Sequence, residues 1–379
     1  VSLPPSKVAT PSRSSDSKMQ RSVTMRRGAS SSGASAPLRA SRRGAVSVRA
    51  GKALIVNTKG GGHAFIGYYL AKELKAKGHS VTIMNDGDKE KVSKKAPYSH
   101  YDELTRDGIQ VCWGNPRDPK TYPGGTFDIV YDNNGKDMES CQPVIDTFRH
   151  TVKHYVFVAS AGAYKADPIE PMHMEGDARK STAGHVQVEQ YLAARGVPAT
   201  VFQPLYIYGP LTNKDCEQWF VDRIVRDRPV LIPAPGIQLT TLTHVEDVAS
   251  MLAAVPGNRA AVGQHYNVCS DRCISFVGIA KAIGKALGKE PQVVLYDPSA
   301  IGTGKSGKAD GFPFRTIHFF ASSDKAKREL GWQPKHDFLG DAEACVRDYL
   351  ASGRQNQDID FSTDTKIMQL MVEHGMATA

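Results

Sequence analysis

The run Asn57-Thr58-Lys59-Gly60-Gly61-Gly62-His63-Ala64-Phe65-Ile66-Gly67 follows an apolar stretch and opens a helical pattern. A glycine-rich turn in that place lets backbone amides at a helix N-terminus meet a pyrophosphate. The candidate cleft residues are Gly60, Gly61, Gly62 and Gly67 in the turn, Asn85 and Asp86 after the next strand, and Asn133 and Ser160 after two others. Asn85-Asp86 stands where a ribose-binding acid is expected. Ala64 replaces the middle glycine and crowds the pyrophosphate, and the loop is lengthened. NAD(P) is therefore expected to bind weakly or not at all. Use of the glycines for tight helix–strand packing is the alternative.

Hard oxygen donors gather nearby in sequence. Asp132, Asn133 and Asp86 are the candidate ligands for a divalent cation, Mg2+ first, which lowers a water pKa or stabilises a phosphorane. Asn134 and Asp88 lie beside them. Asp132 capping the following turn is the competing reading. Asp132, His185 and Ser160 are the candidate catalytic residues, with His63 facing the same cleft. Two stretches offer phosphate contacts and rings for base stacking. In one, Lys305, Lys308, Arg315 and His318 alternate with Phe312, Phe314, Phe319 and Phe320. In the other, Arg223, Arg226 and Arg228 recur at helical spacing beside Trp219 and Phe220. Lys305, Lys308, Phe314, Arg315, Arg223, Arg226 and Arg228 are the candidate RNA-binding residues; core rings and a solvated charged face are the alternative. Gly304-Lys305-Ser306 misses the P-loop pattern, which requires glycine at Ser299 and a following helix.

These residues need a scaffold. Buried strands are predicted at 53–57, 80–84, 109–113, 127–131, 155–159 and 199–203, with helices between most of them and Gly78 ending the first helix. Continuous apolar strands alternating with helices indicate a Rossmann-type, doubly wound parallel α/β sheet. From Thr212 onward, longer loops and short elements suggest a smaller C-terminal lobe. The boundaries are 52–211 for the core, 212–355 for the interleaved lobe and 356–379 for a tail. Residues 1–51 carry eight Arg and two Lys against Asp16, which accounts for the whole net charge of +9. The remainder is neutral, so an RNA surface must be a local patch. That acid-poor, Ser- and Arg-rich segment fits an organellar transit peptide ending near Arg49–Gly51; a basic RNA-binding arm is the alternative. The six cysteines form no C-x-x-C pair and read as reduced thiols. No apolar run is long enough to span a membrane.

Several stretches resemble the extended short-chain dehydrogenase and epimerase pattern. They are Phe65-Ile66-Gly67, Val158-Ala159-Ser160-Ala161-Gly162-Ala163-Tyr164, Gln203-Pro204-Leu205-Tyr206-Ile207-Tyr208-Gly209-Pro210, His244-Val245-Glu246-Asp247-Val248-Ala249 and Leu330-Gly331-Trp332-Gln333-Pro334. Those enzymes use a Tyr-x-x-x-Lys pair as acid/base and ribose holder. Here the two positions are Ser181 and His185, so ordinary hydride transfer is not expected. Asp132-Asn133-Asn134-Gly135-Lys136-Asp137, Asn213-Lys214-Asp215-Cys216-Glu217-Gln218-Trp219-Phe220 and Phe312-Pro313-Phe314-Arg315 resemble the dehydrogenase-like chloroplast stem-loop RNA-binding proteins, and the expanded glycine loop resembles their a-type. The resemblance implies a plastid stromal protein that binds structured RNA (mRNA 3′ stem-loops and rRNA). It also implies divalent-metal-dependent endoribonuclease activity in transcript turnover, association with plastid ribosomes and with a b-type paralogue, and a hetero- or homo-oligomer. A non-catalytic scaffold and an NAD(P)-linked epimerase or reductase are the rival readings.

Overall fold

The computed structural model describes residues 50–58, 63–212, 214–305 and 307–376. Nearly all of the expected transit segment, and the called residues Gly60, Gly61 and Gly62, lie outside them. Among the described residues, seven parallel strands form the central sheet. They are β1 (Lys52–Asn57), β2 (Ser80–Asp86), β3 (Gln110–Gly114), β4 (Ile129–Asn133), β5 (His154–Val158), β6 (Ala199–Pro204) and β7 (His265–Val268). Their order is β7-β6-β5-β4-β1-β2-β3, so the connection reverses between β1 and β4. In open α/β sheets ligands bind at the carboxyl ends of the strands beside such a reversal.

The inner strands β1, β2, β4 and β5 read as largely apolar runs because both faces are covered. Ala53, Ile55, Val81, Ile83, Ile129 and Tyr131 meet helices α1 (Ala64–Ala76) and α6 (Val245–Leu252). Their alternates Leu54, Val56, Met84, Val130, Tyr155 and Phe157 meet α3 (Met138–Phe148) and α4 (Gly184–Ala194). The short helix α2 (Tyr101–Arg106) precedes β3. The helix α1 ends one residue before Lys77, and Gly78 takes φ +86°, as a terminating glycine should.

The smaller lobe has its own core. Helices α5 (Glu217–Ile224), α7 (Phe276–Leu287), α8 (Phe338–Ala351) and α9 (Ser362–Glu373) pack around a parallel strand pair, Val230–Pro233 with Val293–Tyr296. Ser275 caps α7 by accepting from the Gly278 amide at 3.0 Å, and Gly288 ends it at φ +66°. No helix of the described residues is long and apolar enough to cross a membrane.

Two expectations are corrected here. Residues 356–376 are no loose tail: Ile367 and Met371 of α9 are buried in the lobe core. The arginines at helical spacing do not face solvent. Arg223 is buried, donates to Asp364 Oδ1 at 2.7 Å and lies 3.5 Å over the Trp219 ring. Arg226 donates to the Tyr349 hydroxyl and to the carbonyls of Arg354, Gln355 and Gln357. Arg228 packs over Phe361 at 4.2 Å. All three contact the C-terminal segment, and the guanidiniums of Arg223 and Arg226 are committed there by hydrogen bonds. Arg223→Ala strands the Asp364 carboxylate in the core and should lower the unfolding free energy by about 3–5 kcal/mol, read by urea denaturation. Unchanged stability with weakened RNA binding would return Arg223 to the surface.

Candidate functional site

Asn57, Asn85 and Asn133 lie at the carboxyl ends of three adjacent strands, Asn85 one residue before the last, and stand in register, Asn57 opposite both others. All three are buried. Asn133 Nδ2 donates to Asn57 Oδ1 at 2.8 Å and to the His63 carbonyl at 3.0 Å. Asn57 Nδ2 donates to the Ala64 carbonyl at 3.0 Å and faces Asn85 Oδ1 and the Tyr101 hydroxyl at 3.2 and 3.1 Å. The Tyr101 hydroxyl in turn donates to Asn85 Oδ1 at 2.8 Å. This row occupies the floor beneath the start of α1. A Cβ on Gly67 would lie 2.5 Å from the Asn57 side chain. Gly67 is therefore required by an amide side chain packed beneath α1, which is the packing alternative for that glycine. Ala64 is fully buried as the first residue of α1.

Above this floor lies a cleft of about 390 Å³ lined by Thr58, His63, Asn133, Asp137, Ser160 and His185, among others. A second cavity of about 300 Å³ adjoins it and shares His63, Ala159, Ser160 and Pro204. Ser160 sits at the junction, its Oγ accepting from the Gly162 amide at 3.0 Å. Gly184 lets α4 begin against the Lys136 carbonyl, 2.1 Å from where a Cβ would stand, and so sets His185 at the cleft wall. Burial lowers the His185 pKa. Burial, then Lys214 and His185, bring that of His63 down to about 4, and its Nδ1 is buried without a hydrogen-bond partner. Near neutral pH both imidazoles are uncharged.

The structure separates the three expected metal ligands. Asp132 is fully buried; Oδ2 accepts from the Tyr155 hydroxyl at 2.6 Å, and Oδ1 from the Asn134 amide and Nδ2 at 3.2 and 2.9 Å. Burial raises its pKa against those bonds. It braces β4 to β5 and does not line the cleft, so both its metal and its catalytic assignment are corrected. Asp86 lines another cavity, with Gly87, Asn115 and Arg117. Asn133 lines the cleft, its Nδ2 held by Asn57 and the His63 carbonyl. The carboxylate that does line the cleft is Asp137, the N-cap of α3, with Oδ1 on the Ser140 amide and hydroxyl at 3.0 and 2.7 Å. Its Asp-x-x-Ser spacing before a helix was the signal for it. Among the described residues, a possible metal-holding group of His, Cys, Asp or Glu forms elsewhere, at His244, Glu246 and His336. There the two rings stack at 3.9 Å, and His336 is held by Asp341 at 2.9 Å and Glu246 at 3.4 Å.

The second cavity gathers cations. Lys214, Lys308 and Arg315 line it, and Lys180 reaches its wall by donating to the Gly162 carbonyl at 3.1 Å. No carboxylate among the described residues pairs with any of the four. Lys180 and Lys214 were not among the expected RNA-binding residues, since single lysines in irregular segments carry no pattern. Lys305 is exposed and is not among the residues lining the cavity. Phe314 is 3 % exposed and stacks on Phe276 and Phe220 at 5.7 and 5.9 Å. It is a core ring whose edge meets the cavity, with no open face for a base.

Residues 134–269 match the model of the NAD dependent epimerase/dehydratase family. The chain is 34% identical over 318 residues to the chloroplast stem-loop binding protein of 41 kDa b of Arabidopsis thaliana, covering 81% of this chain and 82% of that protein. Solved structures with this fold include Pal from Bacillus thuringiensis, at TM-score 0.61 and 19% identity over 79% of this chain and 99% of that one. The UDP-glucose 4-epimerase of Thermus thermophilus in complex with NAD matches at TM-score 0.60 and 18% identity, with coverage of 79% and 99%.

Two measurements check this site. Gly67→Ala should destabilise the chain by about 1–3 kcal/mol, and by less in an Asn57→Ala background, if the asparagine is what the methyl meets. Unfolded His63 takes up its proton near pH 6.5 but the folded chain only near 4. Its contribution is thus complete above pH 6.5 and lost as pH falls towards 4. Denaturation across that window should give a flatter profile for His63→Asn than for the unaltered chain; parallel profiles would show His63 to be solvated.

Proposed function

This chain belongs to the family of the 41-kDa chloroplast stem-loop binding proteins, and from that premise we propose that it is a plastid RNA-binding protein which recognises stem-loop RNA. The observation that carries this reading is the cavity between the core and the smaller lobe, where Lys180, Lys214, Lys308 and Arg315 converge without a carboxylate partner among the described residues. On a body of no net charge, such a patch is where a phosphate backbone is attracted. Residues 1–51 then act as the transit segment that delivers it to the stroma. Action in transcript turnover, on ribosomal RNA or with plastid ribosomes, and pairing with a b-type paralogue, belong to the same proposal, as does assignment to the a-type.

We further propose endoribonuclease activity in the adjoining cleft, with Mg2+ as cofactor. Mg2+ is held by one or two carboxylates together with substrate phosphates and water. Asp137 meets that need where Asp132 does not. A bound divalent cation would activate water or neutralise phosphate charge. Uncharged His63 and His185 are placed to accept a proton, and Ser160 to position a phosphate oxygen. Hydride transfer does not fit these residues: Ser181 is exposed in the turn before α4, and His185 has no permanent charge. NAD(P) binding is therefore weak or absent. A non-catalytic transcript scaffold is the second reading, favoured by Asp137 being the one carboxylate among the described residues that line the cleft.

An end-labelled stem-loop RNA, incubated with Mg2+ or chelator across a salt series, tests both. Lys214→Glu with Lys308→Glu should weaken binding at least tenfold at low salt and flatten its salt dependence. Asp137→Asn should keep binding and abolish Mg2+-dependent cuts. Salt-sensitive binding without cuts by the unaltered chain favours the scaffold; absence of binding refutes the RNA reading.

A further inference from the structure

The second cavity is built for more than a diffuse attraction to RNA. One wall is aromatic: Tyr206 meets Phe314 edge-on at 4.7 Å and Phe319 at 5.7 Å. Tyr206 keeps partial exposure, whereas Phe314 and Phe319 are buried behind it. Beside this wall the lining is cationic, and Arg315 is fixed in place. The Arg315 amide donates to the Tyr206 hydroxyl at 2.8 Å, its Nη2 donates to the Gly162 carbonyl at 3.1 Å, and its guanidinium lies 4.6 Å over Phe319. The same Gly162 carbonyl also takes Lys180 at 3.1 Å. One neutral oxygen therefore serves two cations, and their positive charge is left uncompensated. In keeping with this, burial and then Arg315 and Lys308 lower the Lys180 pKa.

Lys308 reaches the rim from a small ribbon in which it pairs with Lys305 on one side and Arg315 on the other. Gly304, at φ +90°, makes that ribbon possible, since a Cβ there would lie 2.3 Å from the Lys308 carbonyl. The cavity, about 300 Å³, is at the lower end of the range for small-ligand pockets. A duplex cannot enter such a space. A splayed, unstacked base of a single-stranded loop can, and bases of that kind are what proteins stack on rings and read individually.

We propose that this cavity seats one unpaired nucleotide of the RNA loop, its phosphate against Lys308, Arg315 and Lys214 and its base on the Tyr206 wall. The proposal rests on the RNA-binding reading and deepens it: the cavity makes the chain select a loop over a stem. Free nucleoside monophosphates share the chemistry of the seated group and serve as probes.

The test uses the full chain, a labelled stem-loop RNA, the same stem as a blunt duplex, and UMP and AMP as competitors. The stem-loop should bind at least tenfold more tightly than the duplex. A monophosphate should displace the stem-loop and leave duplex binding unaltered. Lys308→Glu should bring the ratio of the two affinities close to one. Lys305→Glu, on the same ribbon but outside the cavity lining, should weaken both RNAs by the same factor and keep the ratio. Arg315→Lys, which retains the charge and loses the fork, should reduce the ratio several-fold. A monophosphate that binds without displacing RNA would make this a small-molecule site and overturn the proposal. So would a ratio unchanged in Lys308→Glu and Arg315→Lys, with RNA binding itself intact. Loss of all RNA binding in the unaltered chain would remove the underlying reading as well.

Discussion

Three asparagine side chains, in register on neighbouring strands, set the geometry from which the cleft is built. A buried amide group without partners costs on the order of 1–3 kcal/mol, so the row forms as a set: Asn133 satisfies Asn57, and Asn57 with Tyr101 satisfies Asn85. It also ties the His63 and Ala64 carbonyls, at the entry to α1, to the sheet. In a dinucleotide enzyme the turn above this floor is ordered in part by the pyrophosphate it embraces. Here amides of the protein itself hold the entry to α1.

The distribution of charge follows a similar division. In the smaller lobe, Asp222 accepts from the Tyr349 hydroxyl at 2.6 Å and from Arg354 at 3.0 and 2.7 Å, and Arg226 approaches it at 3.5 Å. Those arginines are internal struts. The cations of the cavity have no carboxylate partner among the described residues, so their charge is directed at the cavity. A neutral body can therefore carry a binding patch where cations gather without carboxylates, while Arg223, Arg226 and Arg354 are held inside the fold by carboxylates and carbonyls.

Six of the seven strands were legible because each is a largely apolar run that periodicity can detect, with edges displaced by at most two residues, as at Ile129–Asn133; β7, with His265 and Asn267 among its four residues, carries no such run and was not expected. The strand-end location of Ser160 followed from the same pattern. What sequence could not resolve is direction. Asp132 and Asn133 are neighbours in the chain but point to opposite faces of the sheet, so one is sealed under α3 and the other meets α1. Arg223 and Arg226 stand at the spacing of a solvated basic face. Their partners, Asp364 and Tyr349, lie more than a hundred residues away, and no local pattern announces them. Lys180 was missed for the converse reason: it becomes part of a cluster only when the smaller lobe folds Arg315 and Lys308 back over Gly162.

The docking of α9 fixes an order of events. Arg223 and Asp364 are 141 residues apart, and the helix that bears Asp364 also supplies Ile367 and Met371 to the lobe core. A chain delivered N-terminus first, from a ribosome or through a translocation pore, can complete its parallel sheet at β7 while α9 is still to come. Until then the guanidinium of Arg223 lacks its counter-ion and the smaller lobe lacks one wall. The cavity that borders this lobe is thus among the last parts of the molecule to mature, so an incompletely emerged chain has its central sheet well before it has its cationic pocket.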